Sequence, residues 1–145
     1  MKNEIDVKEW VRYADMDFLA ANHLNEIQYP KPLEIICYHC QQAAEKMLKA
    51  LIIAYDGELQ KTHDLGLLTD ELSEFVTFSE NILNSVDALT PYGVKIRYPQ
   101  ELNIEESHVA KAISDMKTVY DFVKNKMEEL KLSPPVEELN KENSV

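Results

Sequence analysis

Cys37-Tyr38-His39-Cys40-Gln41-Gln42-Ala43-Ala44-Glu45-Lys46-Met47-Leu48-Lys49-Ala50-Leu51 is the stretch on which the fold turns. With its flanks it predicts a helix from Leu33 to Tyr55. Ile36, Cys37, Cys40, Ala44, Met47, Leu48, Leu51, Ile52 and Tyr55 recur at three- and four-residue steps and make one broad apolar stripe. No other segment has so wide an apolar face, which makes this the expected central helix. Asp56-Gly57 should end it, with Gly57 taking the left-handed position that helix C-termini favour.

Working outward, Val7, Trp10, Val11, Ala14, Phe18, Ala21 and Leu24 define an earlier helix, with Asp6 as its expected N-cap. Tyr29-Pro30-Lys31-Pro32 separates the two, because proline forces extended backbone on the residue before it. On the other side, Asp64 is placed to cap a short helix through Phe75. Thr77-Phe78-Ser79-Glu80 fits a capping box for a second short helix, Asn81 to Leu89. Tyr92 to Leu102 has no period and reads as a loop. Asn103-Ile104-Glu105-Glu106 caps a last helix whose Val109, Ile113, Met116, Tyr120, Val123, Met127 and Leu130 face inward. Ser133-Pro134-Pro135 stops it. The expected fold is all-α: an antiparallel up-and-down bundle of four to five helices over residues 1–131, then an acidic, disordered tail over 132–145.

The 145 residues suit one domain with a true core, since a chain this size buries about 70% of its unfolded surface. Fifteen basic against 26 acidic residues give a net charge of -11, which argues against a general phosphate-backbone binder and against DNA as a partner. The three glycines, Gly57, Gly66 and Gly93, leave no room for a GxGxxG turn or a P-loop. No signal peptide or membrane span is visible, so a cytoplasmic protein is expected. Cys37 and Cys40, three apart on one helix, read as reduced core thiols. With His39 they suggest a metal. The other histidines, His23, His63 and His108, lack ligand spacing, so neither a metal nor a cofactor is expected.

The central stretch resembles the signature helix of the HEPN domain. Thr62-His63-Asp64-Leu65 looks like the Thr-His-x-Leu element that follows it in that family, and Arg97-Tyr98-Pro99 looks like the Arg-Tyr-Pro element before the last helix. The match spans roughly Val7 to Met127. The resemblance implies a four- to five-helix bundle that usually forms homodimers and often pairs with a minimal nucleotidyltransferase, frequently as a toxin–antitoxin system. It also implies similarity to the substrate-binding domain of kanamycin nucleotidyltransferase. Ribonuclease members carry an Arg-x4-6-His motif assembled across a dimer. Here ten residues separate Arg97 from His108, and ten separate Arg12 from His23, so the chain departs from that motif.

Each candidate keeps a structural alternative. Arg97, between Lys95 and Tyr98, suits a phosphate or base contact with Tyr98 or Tyr92 stacking; otherwise it pairs with an acid and the loop docks on the bundle. His108 is a general-base candidate or a solvated helix histidine. Gln41, Gln42, Glu45, Lys46 and Lys49 are either a solvated face, with Glu45–Lys49 an i,i+4 pair, or a polar seam at a dimer or partner interface. His63 should pack or hydrogen-bond at its helix start.

Three functions remain in view. The first is a nucleotide- or RNA-binding partner of a minimal nucleotidyltransferase, with Arg97 as phosphate contact. The second is a metal-independent ribonuclease toxin using Arg97 and His108 from two subunits. The third is a non-catalytic interaction module. The tail from Leu132 carries -2 of the charge, leaving -9 on the bundle. Tyr92 to Pro99 holds two cations and no acid, so one small basic, aromatic loop survives in an acidic chain.

Overall fold

The helix built on the central stretch runs from Leu33 to Ala54 and is walled in by most of the rest of the molecule. The computed structural model describes residues 4–27, 29–93 and 103–131. In chain order the helices are α1 (Glu4–Glu26), α2 (Leu33–Ala54), α3 (Leu65–Leu72), α4 (Glu80–Leu89) and α5 (Glu106–Lys131), with a 3₁₀ turn at Thr90–Gly93. The described residues contain no strand, and the architecture is the expected all-α bundle.

Side-chain partners give the directions. Asp17 of α1 meets His39 and Lys46 of α2, while Trp10 lies under Lys49, so α1 and α2 are antiparallel. Asp15 and Phe18 of α1 meet Tyr120 of α5. The α4 segment pairs Phe78 with Phe122 and Ser85 with Asp115, which sets it antiparallel to α5. The α2 stripe fills the middle: Cys40, Met47, Leu48 and Leu51 are wholly buried with Leu65 and Leu68 of α3, Leu89 of α4 and Met116 of α5.

Helix ends depart from expectation in instructive ways. Asp6 lies within α1, which starts earlier because Glu4 and Asp6 both favour the positive end of the helix dipole. At the end of α2 the left-handed residue is Asp56, with φ of 61°, and not Gly57. Gly57 N–H donates to Ile52 O at 2.8 Å and Asp56 N–H to Ile53 O at 2.9 Å, a Schellman closure shifted by one residue. Gly57 supplies space instead: a Cβ there would stand 3.1 Å from Ile52 Cγ2. Asp64 caps α3 as expected, accepting from Gly66 N–H at 2.9 Å, although α3 stops at Leu72. The cap of α4 is Ser79, which accepts from Ile82 N–H, in place of the Thr77 box with Glu80 reaching back. The tail over 132–145 lies outside the described residues.

Both thiols are free and fully buried. Burial pushes the Cys37 thiol up to about 12, with the Glu34 carboxylate adding to it, and raises Cys40 as well. Thiolate is the reactive form, so a thiol-exchange reagent should titrate neither cysteine in the native protein and both after denaturation. A native thiol that reacts at the unfolded rate would contradict this packing. Folded thiols that hold their protons bind more protons than unfolded ones at high pH. Their contribution is intact below the usual thiol value of about 9 and is lost as pH rises towards 12. The urea midpoint should accordingly fall between pH 8 and pH 11.

Candidate functional site

The polar residues of α2 do not form a solvated face. Gln41, Gln42, Glu45 and Lys49 are buried inside the single chain, covered by α1, the lead-in to α3 and the 3₁₀ turn. Glu45, 3% exposed, is the centre of this seam. Its Oε1 accepts from Gln41 Nε2 at 3.1 Å and faces His63 Nδ1 at 2.9 Å, while Oε2 accepts from Lys49 Nζ at 3.2 Å. Gln41 Nε2 also donates to the His63 carbonyl at 3.1 Å, and Gln42 donates to Gln41 Oε1 at 2.7 Å. Among the described residues no buried side-chain polar atom lacks a partner, which is the condition for a buried polar network to hold one geometry.

A second cluster lies against α1. Asp17 Oδ2 accepts from Lys46 Nζ at 2.6 Å, and Asp17 Oδ1 lies 2.8 Å from His39 Nδ1. Both histidines thus have Nδ1 tied to a carboxylate, which fixes each ring and leaves Nε2 for other contacts. His63 is the more accessible, with 54% of its side chain exposed.

Gly93 closes the seam. A Cβ on it would stand 2.5–2.8 Å from the Gln41 amide atoms, so only glycine lets the backbone come this near. The next residues, 94–102, which include Lys95, Arg97 and Tyr98, lie outside the described residues. Gly93, the last described residue before that segment, is thus seated on Gln41. Tyr92, just before it, is half-buried against the core, and burial raises its hydroxyl, helped by Cys37, Asp115 and Cys40.

His108 is exposed in the first turn of α5, where its Nδ1 accepts from Glu105 N–H at 2.9 Å. It serves as the reaching-back half of a capping box, which leaves Nε2 as the N–H donor. Of the expected interface residues, Lys46 keeps some exposure, while Gln41 offers no side-chain surface to a second chain. Among the described residues, no three His, Cys, Asp or Glu side chains stand close enough to hold a metal ion. No helix among them is long and apolar enough to cross a membrane.

The Asp17–His39 and Glu45–His63 pairs escape reading from composition and period. One signal for the first was present: Asp17 sits between Ala14 and Ala21 on the inward stripe of α1, where an acid needs a buried partner.

Comparison with solved structures finds the same bundle in TT1696 from Thermus thermophilus, at a TM-score of 0.73 and 23% identity, over 83% of this chain and 97% of that one. It is also found in ST0689, an archaeal HEPN homologue, at a TM-score of 0.66 and 21% identity, over 83% of this chain and 96% of that one. No curated protein matches the chain. The family model of the HEPN domain matches residues 7–126, a span that takes in both polar clusters and reaches all five helices. The chain belongs to the HEPN domain family.

Proposed function

We propose that this chain is the nucleotide- or RNA-binding partner subunit of a minimal nucleotidyltransferase, acting in the cytoplasm as one component of a toxin–antitoxin pair. In this reading the Tyr92–Pro99 segment meets the ligand. Arg97 and Lys95 contact phosphate, and Tyr98 stacks on a base. The observation that carries it is Gly93 seated on the buried Gln41 amide. The short stretch bearing Lys95 and Arg97 follows directly in sequence on this seated glycine, and it carries two cations and no acid in an acidic chain. The acidic helix surfaces suit a basic partner protein.

The test is a thermal-shift series with nucleoside triphosphates and single-stranded RNA. Ligand at 100 times its Kd stabilises by about 2.7 kcal/mol, which for this size raises the midpoint by about 5–10 °C. Arg97→Ala should abolish that shift and leave the ligand-free midpoint in place. No shift with any nucleotide or RNA, and no nucleotidyltransferase recovered with the chain from its own cells, would sink the proposal. RNA cleavage by the wild type, lost in both Arg97→Ala and His108→Ala, would favour the ribonuclease reading instead.

A further inference from the structure

A cleft of about 320 Å³ lies between the start of α1 and the end of α5. Along most of its length α1 leans on α2, and it meets α5 chiefly where Asp15 and Phe18 pack on Tyr120. The Tyr120 hydroxyl donates to Asp15 and closes the cleft at that end. Beyond it Val7, Val11 and Met127 make an apolar floor, and the short valines leave the space above them unfilled.

The charges along the cleft follow an order. From the Asp15–Tyr120 contact α1 runs back towards Glu4 while α5 runs on towards Lys131, so the two helices are antiparallel. Lys8 and Glu128 stand seven and eight residues from the contact, and Glu4 and Lys131 eleven each, so an acid faces a base at both levels. Arg12 and Lys124, three and four residues from it, put a cation opposite a cation. Arg12 donates to Glu9 on its own helix through Nε, which leaves both terminal nitrogens for another acceptor. Lys124 lies 5.3 Å from the centre of the Tyr120 ring and, among the described residues, pairs with no acid. Glu128, four residues on, stands at a spacing where such pairs usually close. In a chain carrying -11, two facing cations over an apolar floor call for an anion from outside.

We propose that this cleft binds a free medium-chain carboxylate, with its headgroup bridging Arg12 and Lys124 and its hydrocarbon chain laid along Val11, Val7 and Met127. A carboxylate matches the guanidinium fork and accepts from the ammonium as well. From Arg12 to Glu4 the cleft is about 12 Å long, which suits a straight chain. A nucleotide is a poor match, because the lining holds no aromatic side chain on which a base could stack. Asp15 limits the affinity, since its carboxylate lines the end where the headgroup sits. The proposal does not rest on the nucleotidyltransferase partnership or on the Tyr92–Pro99 segment.

Titration calorimetry of the full chain with hexanoate, octanoate and decanoate is the test. Each added methylene should tighten binding by up to about fourfold until the cleft is filled. Octanol and octylammonium, with the same chain but no negative charge, should bind about tenfold more weakly than octanoate. Lys124→Met and Arg12→Met should each weaken octanoate about tenfold and leave octanol unchanged, with helicity by circular dichroism intact. Asp15→Asn, whose amide oxygen can still accept from Tyr120, should tighten octanoate binding. By methyl NMR, octanoate should shift Met127 and leave the wholly buried Met47 and Met116 in place. Octylammonium that binds as well as octanoate, an affinity indifferent to Lys124→Met, weaker binding by Asp15→Asn, or a Met127 methyl that does not move would each overturn the proposal. These readouts use no nucleotide, RNA or nucleotidyltransferase, so failure here is distinguishable from failure of the proposed function.

Discussion

Glu45→Met should destabilise the protein by about 3–5 kcal/mol, the usual cost of removing one partner from a buried ion pair. Methionine nearly preserves the volume, so the loss reports charge and hydrogen bonding and not a cavity. Without the carboxylate, Lys49 keeps its ammonium in a site where 9% of its side chain is exposed, and His63 Nδ1 loses its acceptor. For a chain of this length the midpoint should drop by about 10–15 °C. Lys49→Met should cost less, because Glu45 retains the Gln41 amide and the His63 ring. The double variant Glu45→Met/Lys49→Met is expected to recover most of the loss, since a buried pair replaced by apolar residues of similar volume is often close to neutral. Urea unfolding of the three variants measures this. A single-variant loss under about 1 kcal/mol would mean that the seam is wetter than its burial indicates.

The helices were legible because their apolar stripes repeat at the helical period, and Cys40, Met47 and Leu51 sit where that period puts them. The seam was not, because period separates apolar from polar residues but cannot say whether a polar row faces water or another part of the chain. Gln41, Glu45 and Lys49 look like a surface stripe until His63 and Gly93 are placed over them. Turn chemistry failed where two neighbours were both suitable. Thr77 and Ser79 each make a fair cap, and Asp56 tolerates the left-handed region for which glycine is the usual residue. Close approach settled the second case, because Gly57 is held against Ile52. His108 shows the converse, a residue singled out for chemistry whose Nδ1 the helix start already uses. Lys95, Arg97 and Tyr98 stand out by charge and resemblance alone, and they fall outside the described residues.

Gly93→Ala is the substitution that joins the seam to the proposed ligand segment. The added methyl would meet Gln41 Cδ at 2.5 Å and Nε2 at 2.6 Å. A free glutamine would swing aside at little cost. This one is wholly buried, donates to Glu45 and the His63 carbonyl, and accepts from Gln42. Either Gln41 breaks those bonds or the 3₁₀ turn lifts off α2, and overpacking of this kind costs about 1–3 kcal/mol. In a Gln41→Ala background the same substitution should cost less, with a coupling of about 0.5–3 kcal/mol, as expected for side chains in direct contact. If the two losses simply add, the contact is not what requires glycine. The same variant also separates anchoring from binding. Gly93→Ala leaves Lys95, Arg97 and Tyr98 in the chain but shifts the point from which they depart. A nucleotide thermal shift lost in Gly93→Ala, when measured well below its own melting midpoint, would show that the segment binds through its fixed origin. A shift retained at full size would show that the cations act without it.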